Sequence, residues 1–395
     1  MARSRRLNVE NLERRELLAG NVAVSVTGGN VTVTADDAGN SISIFQQPNG
    51  RFNIVGFDGE TFTGPTTNLL IRNLTVNLGG GQDNLGIGKQ SVTSLPGLPA
   101  QILGSTTVNG GTGAKLLFVL VNGGEVGEYR MPARAINVDT SPTVIADGAS
   151  NLRDDDVLIA SSSAAFISVR TGGGNDALDL FDVQALNLMA DVAPIASAAG
   201  ISDNDLITFG GVVALNAALS TGGGANFVSG SQSLFGNLMT TTGSGVDDVR
   251  INNSVIATSF TLNTNAGADT VNLHDLQIGL TAEIPAVFAE YGITLPQLPF
   301  NLFQLTQYLP SLPGLLTVST GEGDDVVEIA DLISTLSISI SLEGGNDQLF
   351  ATDIDAFYSI YNGGLGTDGQ FNSGIEGYNW LFLFEDELSP PPVST

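Results

Sequence analysis

The chain has 395 residues, with 41 acidic side chains against 14 basic and a formal net charge of −27 at pH 7. A chain this acidic repels phosphate backbones and anionic membrane surfaces, which argues against a nucleic-acid-binding protein, and it attracts cations. There is no cysteine, so disulfides and thiol chemistry contribute nothing.

In chain order, residues 1–20 form a separate segment. Five of the 14 basic residues lie in the first 15 positions, mixed with acidic ones. The segment has no continuous apolar core, so it reads neither as an ordinary signal peptide nor as a transmembrane helix. Residues 21–63 read as a β meander, with "GGN", "DDAGN", "QPNGR" and "FDGET" between alternating strands. The expected role of the meander is to cap an open sheet edge.

From residue 64 to 388 one pattern recurs. In "LSISISLEGGNDQLFATDI", residues 336–354, apolar and hydroxyl residues alternate, then glycines and an aspartate follow. Alternation is the mark of a strand with one apolar and one wet face, and glycines supply a sharp turn. Related segments end at Asp83, Asp176, Asp247, Asp269, Asp325, Asp347 and Asp368, with Asn226 and Lys115 in the same place in "TGGGANFV" and "GGTGAKLL". The steps 226–247, 247–269, 325–347 and 347–368 are equal to within one position. A fixed period of this size signals a solenoid. Six positions after the turn aspartate comes Asp182, Asn253, Asp275, Asp331 or Asp353, while the Asp83 and Asp368 repeats depart from this with Lys89 and Gly374.

The unit is therefore strand, Gly-x-Gly-x-Asp turn, short strand, Asp or Asn corner, strand. It predicts an all-β fold, a right-handed parallel β-helix (solenoid) with ~21–22-residue coils stacked at ~4.8 Å. Thr171, Thr221, Thr242, Thr264 and Thr320 open five turns, and Leu78 and Leu342 open two others. They share parity with inward apolar residues, so an inward threonine ladder is expected, with hydroxyls bonded to turn backbone. Residues 281–313 interrupt the period as an apolar, proline-punctuated insertion, and a lesser one spans 90–103. Residues 389–395 read as a disordered tail.

The turns resemble the calcium-binding repeat of the hemolysin-type (RTX) family, Gly-Gly-x-Gly-x-Asp-x-apolar-x. "GGLGTDGQF" at 363–371 matches its glycines and aspartate, and "TGEGDDVVE" and "TGGGNDALD" lack only the first glycine. The resemblance implies Ca²⁺ held between stacked turns by the seven aspartates and by turn carbonyls. This chain departs from the family in having one turn per coil rather than nonapeptides in direct succession. Stacked carboxylates ~4.8 Å apart repel by ~3 kcal/mol at an effective dielectric near 20, so a cation there is physically useful. The simpler reading is that each aspartate bonds turn backbone.

A second resemblance lies in "RRLNVENLERRELLAG", residues 5–20, which is similar to the Leu-Glu-Pro-Arg-x-Leu-Leu motif of exported planctomycete proteins. Arg14 stands where that motif often has proline. The likeness implies a secreted or cell-surface bacterial protein. The expected function is a calcium-binding structural or adhesive surface protein, whose partners are calcium, cell-surface polysaccharide or other surface proteins. The alternative is a β-helix that binds or cleaves polysaccharide. A hydrolase needs an irregular acidic cluster, whereas these acids are periodic, and His274 is the one histidine. No catalytic residues are assigned.

Overall fold

The computed structural model describes residues 20–57, 59–88, 100–102, 104–111, 115–119, 133–139, 155–171, 174–192, 204–279, 313–384 and 386–387. The N-terminal motif, Lys89, the 281–313 insertion apart from its last residue, most of the 90–103 segment and the tail lie outside the described residues.

Every described element is a β-strand, and no helix occurs among them. Alternation decides this. In Val326–Ser341 the residues Val327, Ile329, Leu332, Ile338 and Ile340 are buried, and the residues between them face outward or sit at corners. The strands pair in parallel with the chain one repeat further on. Asp248 lies opposite Thr270, Val326 opposite Gln348, and Gln348 opposite Gly369. These offsets are the period of the sequence. Thr270 pairs with Val326, more than two periods further along, so the ladder keeps its register across that gap in sequence.

Each repeat forms one tier of a stack, and stacking in register builds continuous columns. Val249, Val271, Val327 and Leu349 stand one above another, all fully buried. Each tier carries two ladder segments joined at a bend. The strand Ala177–Asp191 pairs with Leu206–Gly210 through its first half and with Val213–Gly222 through its second. Asp248–Asn263 does the same with Phe227–Ser231 and Leu234–Thr242. The two short pairs also hydrogen-bond across tiers, so these six strands close a ring.

The bend is the second aspartate of the repeat. Asp182, Asn253, Asp275, Asp331 and Asp353 all have φ between 45° and 52°. Asp and Asn tolerate this left-handed region better than other side chains do. Gly374, expected to break the rule, has φ 65° and makes the same bend, as do Gly211 and Gln232, six positions after Asp205 and Asn226. The Gly-x-Gly turn has a different need. Gly323 and Gly345 have φ 147° and 153°, and a Cβ on either would lie 1.5–1.6 Å from the carbonyl oxygen of the tier below. Only glycine lets these turns stack at strand spacing.

Residues 21–63 do more than cap. Asn30–Ala35 and Ser41–Gln46 pair in parallel with Asn73–Asn77 and Asp83–Ile87, and so form the first tier. The covering strands are Asn21–Thr27 and Phe52–Gly56, which pair antiparallel to them on the outer side. Both first edges are thereby closed.

The bend gives a test. Asp331→Val places a β-branched residue at φ 50° and is expected to cost about 1–3 kcal/mol in urea denaturation. Asp331→Gly should leave stability nearly unchanged. Equal losses for both would show that the carboxylate, and not the backbone conformation, is what the position requires.

Candidate functional site: the turn carboxylate ladder

The turn aspartate precedes the first strand residue of its tier, with its side chain inward. Asp83, Asp176, Asp247, Asp269, Asp325, Asp347 and Asp368 are all buried. Their shared partner is backbone. The Asp247 N–H donates to Asp269 Oδ1 (2.9 Å), Asp269 N–H to Asp325 Oδ1 (2.8 Å), Asp325 N–H to Asp347 Oδ1 (2.8 Å), and Asp347 N–H to Asp368 Oδ1 (3.0 Å). Each carboxylate thus reaches back one tier and takes up the N–H of its own counterpart.

The ladder is longer than the glycine signature suggests. Asp155 and Asp205 belong to it: the Lys115 and Asp155 N–H groups donate to Asp155 and Asp176 Oδ1, and those of Asp176 and Asp205 donate to Asp205 and Asn226 Oδ1. Their local sequences, "RDDDV" and "SDNDLI", carry no glycine. The available signal was the period, since Asp155 lies one period before Asp176 and Asp205 one period before Asn226. Asn40 begins the ladder by donating to Asp83 Oδ1 at 2.8 Å.

Two positions replace the carboxylate. Asn226 accepts from Asp205 and returns its amide to Asp247 Oδ1 (2.9 Å) and to the Gly222 and Gly224 carbonyls, so it adds no charge. Lys115 donates from Nζ to Asp83 Oδ2 (2.6 Å) and to the Gly81 carbonyl (2.8 Å), with both side chains fully enclosed. The ammonium neutralises its neighbour from inside.

The threonine ladder lies alongside. All five threonines, Leu78 and Leu342 are buried. Thr242, Thr264 and Thr320 donate to the carbonyls of Thr264, Thr320 and Leu342, at 3.2–3.3 Å. These bonds are long, and each hydroxyl also lies beside the carboxylate of its own turn. The electrostatics record that proximity. Burial pushes the Asp247 and Asp325 carboxyls up to about 6, and the Thr242 and Thr320 hydroxyls hold them back. Burial also raises Asp269, against its backbone bond and Thr264. The Asp347 tier has Leu342 where these have threonine. Asp347 is pushed further than Asp247 or Asp325, to about 7, by burial and by the charges of Asp325, Asp368 and Asp324. Its Oδ2 is buried with no hydrogen-bond partner, as are those of Asp247, Asp269 and Asp325.

The donor chemistry suits a hard cation: carboxylate and carbonyl oxygens are what Ca²⁺ selects. Outside the Asn40, Lys115 and Asn226 tiers, each tier offers one ladder carboxylate, whose Oδ1 already accepts an N–H. The carbonyls of Ala266, Glu322 and Gly344 accept the N–H groups of Gly245, Gly267 and Gly323 from neighbouring tiers. Among the described residues no three acidic or histidine side chains converge as a metal cluster. An ion here would be shared by two tiers and would draw most of its oxygens from backbone. The corner aspartates stand apart, since their conformation is their function.

Three further charged pairs lie at the surface. Arg250 bonds Asp248 through Nε (2.8 Å) and Nη2 (2.5 Å) and lies over the Phe227 ring. Arg170 Nε is 3.8 Å from Asp191, and His274 Nε2 is 3.7 Å from Glu328. No helix among the described residues is long and apolar enough to cross a membrane. Comparison with protein-family models, with curated proteins and with solved structures finds no match.

Two outcomes are expected. Lys115→Ala strands a buried carboxylate at Asp83 and should cost about 3–5 kcal/mol, far more than an exposed pair would. The double variant Lys115→Met, Asp83→Asn should recover most of it in the same denaturation assay. The second outcome concerns pH. Folded pKa values of about 6, 6 and 7 for Asp247, Asp325 and Asp347 lie above the unfolded value of about 3.9. The folded state therefore binds more protons than the unfolded state between these limits. Their stabilising contribution is complete below pH ~4 and is lost as pH rises through 6 to 7. Without added metal, the melting temperature should be lower at pH 8 than at pH 5, and Asp347→Asn should flatten the difference.

Proposed function

We propose that the chain is a right-handed parallel β-helix whose turn carboxylates take up calcium, and that it serves as an exported structural or adhesive element at the cell surface. The observation that carries the calcium reading is the Oδ2 of Asp347, buried, without a partner, and flanked by the carboxylates of Asp325 and Asp368. A buried anionic oxygen is costly unless a proton or a cation meets it. Asp247, Asp269, Asp325, Asp347 and Asp368 would supply the acidic ligands beyond Asn226. The likeness of these turns to RTX repeats supports the same ion. Support for export comes from the N-terminal motif, and support for a scaffold role comes from the regularity of the tiers and of the acidic residues along them.

The test is titration of the chelator-treated protein with Ca²⁺ by calorimetry and by thermal melting. A ligand bound only by the folded state, at ~100 times its dissociation constant, adds about 2.7 kcal/mol. The melting temperature should therefore rise in millimolar Ca²⁺, more at pH 8 than at pH 5, because protons compete for the same oxygens. Asp347→Asn should raise stability without metal at pH 8 and remove much of the calcium increment. No binding heat and an unchanged melting temperature would overturn the proposal.

A further inference from the structure

The two ends of the ladder are finished differently. At the N-terminal end antiparallel strands cover both edges. At the C-terminal end the last long strand, Gly369–Phe382, pairs on one side with Gln348–Asn362. On its other side, among the described residues, only Gly369 and Gln370 are paired, by Asp386 and Glu387. Among the described residues, no strand pairs with 371–382 on this side, and their backbone donors and acceptors form an edge.

That edge is apolar. Tyr378 is 60 % exposed, Leu383 57 %, Phe382 51 % and Trp380 49 %. Leu381 lies in register above the fully buried Tyr361 and continues an interior column with nothing described above it. The Tyr358 ring stands 5.7 Å from both the Tyr378 and the Trp380 rings. Residues 369–384 carry one charge, Glu376, in a chain whose net charge is −27. Repeat stacks need a polar terminal cap, and a free apolar edge recruits another strand. The sequence that follows, "EDELSPPPVST", places Asp386 and Glu387 at the far end of the strand, against Gly369 and Gln370, and then offers three consecutive prolines, which have no N–H to give to a ladder.

We propose that this end is an isologous interface, in which Tyr378–Phe382 pairs antiparallel with the same segment of a second copy about a two-fold axis. Centred on Trp380, the segment is its own complement: Trp380 faces its twin, and Asn379 faces Leu381 of the other copy. The lack of charge lets two acidic chains approach here. The covered N-terminal edges prevent head-to-tail growth, so assembly stops at two. The inference does not depend on calcium.

Sedimentation of the intact chain over a range of concentrations tests it. The 40.8 kDa protomer should associate to a dimer and no further. Tyr378→Lys with Trp380→Lys should weaken association by ~30-fold or more, the loss expected of interface anchors. Leu215→Lys, on a different strand, should change nothing. Circular dichroism establishes that each variant is folded. Because the chain has no cysteine, Asn379→Cys supplies a single thiol, and a bismaleimide should link two copies through it, whereas Leu215→Cys should not link. A monomer at every concentration, a dimer that survives both lysines, or growth into longer assemblies would each overturn the inference. So would a monomer that binds insoluble cellulose through Trp380, which would assign the aromatic cluster to a glycan.

Discussion

The hydrogen bond from a backbone N–H to the aspartate Oδ1 of the next tier is the constraint on which the rest depends. It ties equivalent positions of successive tiers together at a fixed distance and buries the acceptor. An asparagine can do the same, as Asn226 does. A lysine cannot, since it has no acceptor, and Lys115 instead reaches back with its ammonium to Asp83. With the turn and the bend held at a constant separation, variation in repeat length is displaced to the later part of the tier. Among the described residues the register shifts fall between Ser220 and Gly222, between Phe235 and Asn237, between Ser334 and Ser337, and between Asp355 and Tyr358, all beyond the bend.

The same bond creates the electrostatic problem. Each carboxylate that locks two tiers is removed from water and placed beside others of like charge. Backbone N–H groups partly compensate, and threonine hydroxyls help in the tiers that have them. Asn226 removes one charge and Lys115 neutralises another. Asp347 has neither threonine nor lysine, and its deficit exceeds that of Asp247 and Asp325. Protons and cations are two answers to it, and pH and metal act on the same oxygens.

The ends follow a different logic. A stack of tiers has an interior that must stop somewhere, and stopping exposes a cross-section of core and a strand edge. Reversing the chain at the N-terminal end closes both with antiparallel strands. At the other end the chain becomes aromatic and nearly uncharged, which suits an interface better than a surface in water.

The sequence by itself determined the all-β class, the parallel register, the inward threonines and the place of the turn aspartates. Those features repeat locally, and strand alternation, glycine turns and a fixed period are visible without knowing what touches what. Asp155 and Asp205 were hidden because their turns lack glycine, although the ladder bond asks only for an acceptor at the right tier. Gly374 looked like a departure because aspartate and glycine reach the same φ by different means. The tertiary structure alone decided what the carboxylates face. Sequence spacing brings Lys115 and Asp83 within one repeat and an insertion, but only stacking encloses them together. The likeness to calcium turns offers oxygens in the right order, while packing reveals that half of each carboxylate is already engaged by backbone. Burial and hydrogen bonding are properties of neighbours, and for this chain the neighbours lie one or more full periods away along the sequence.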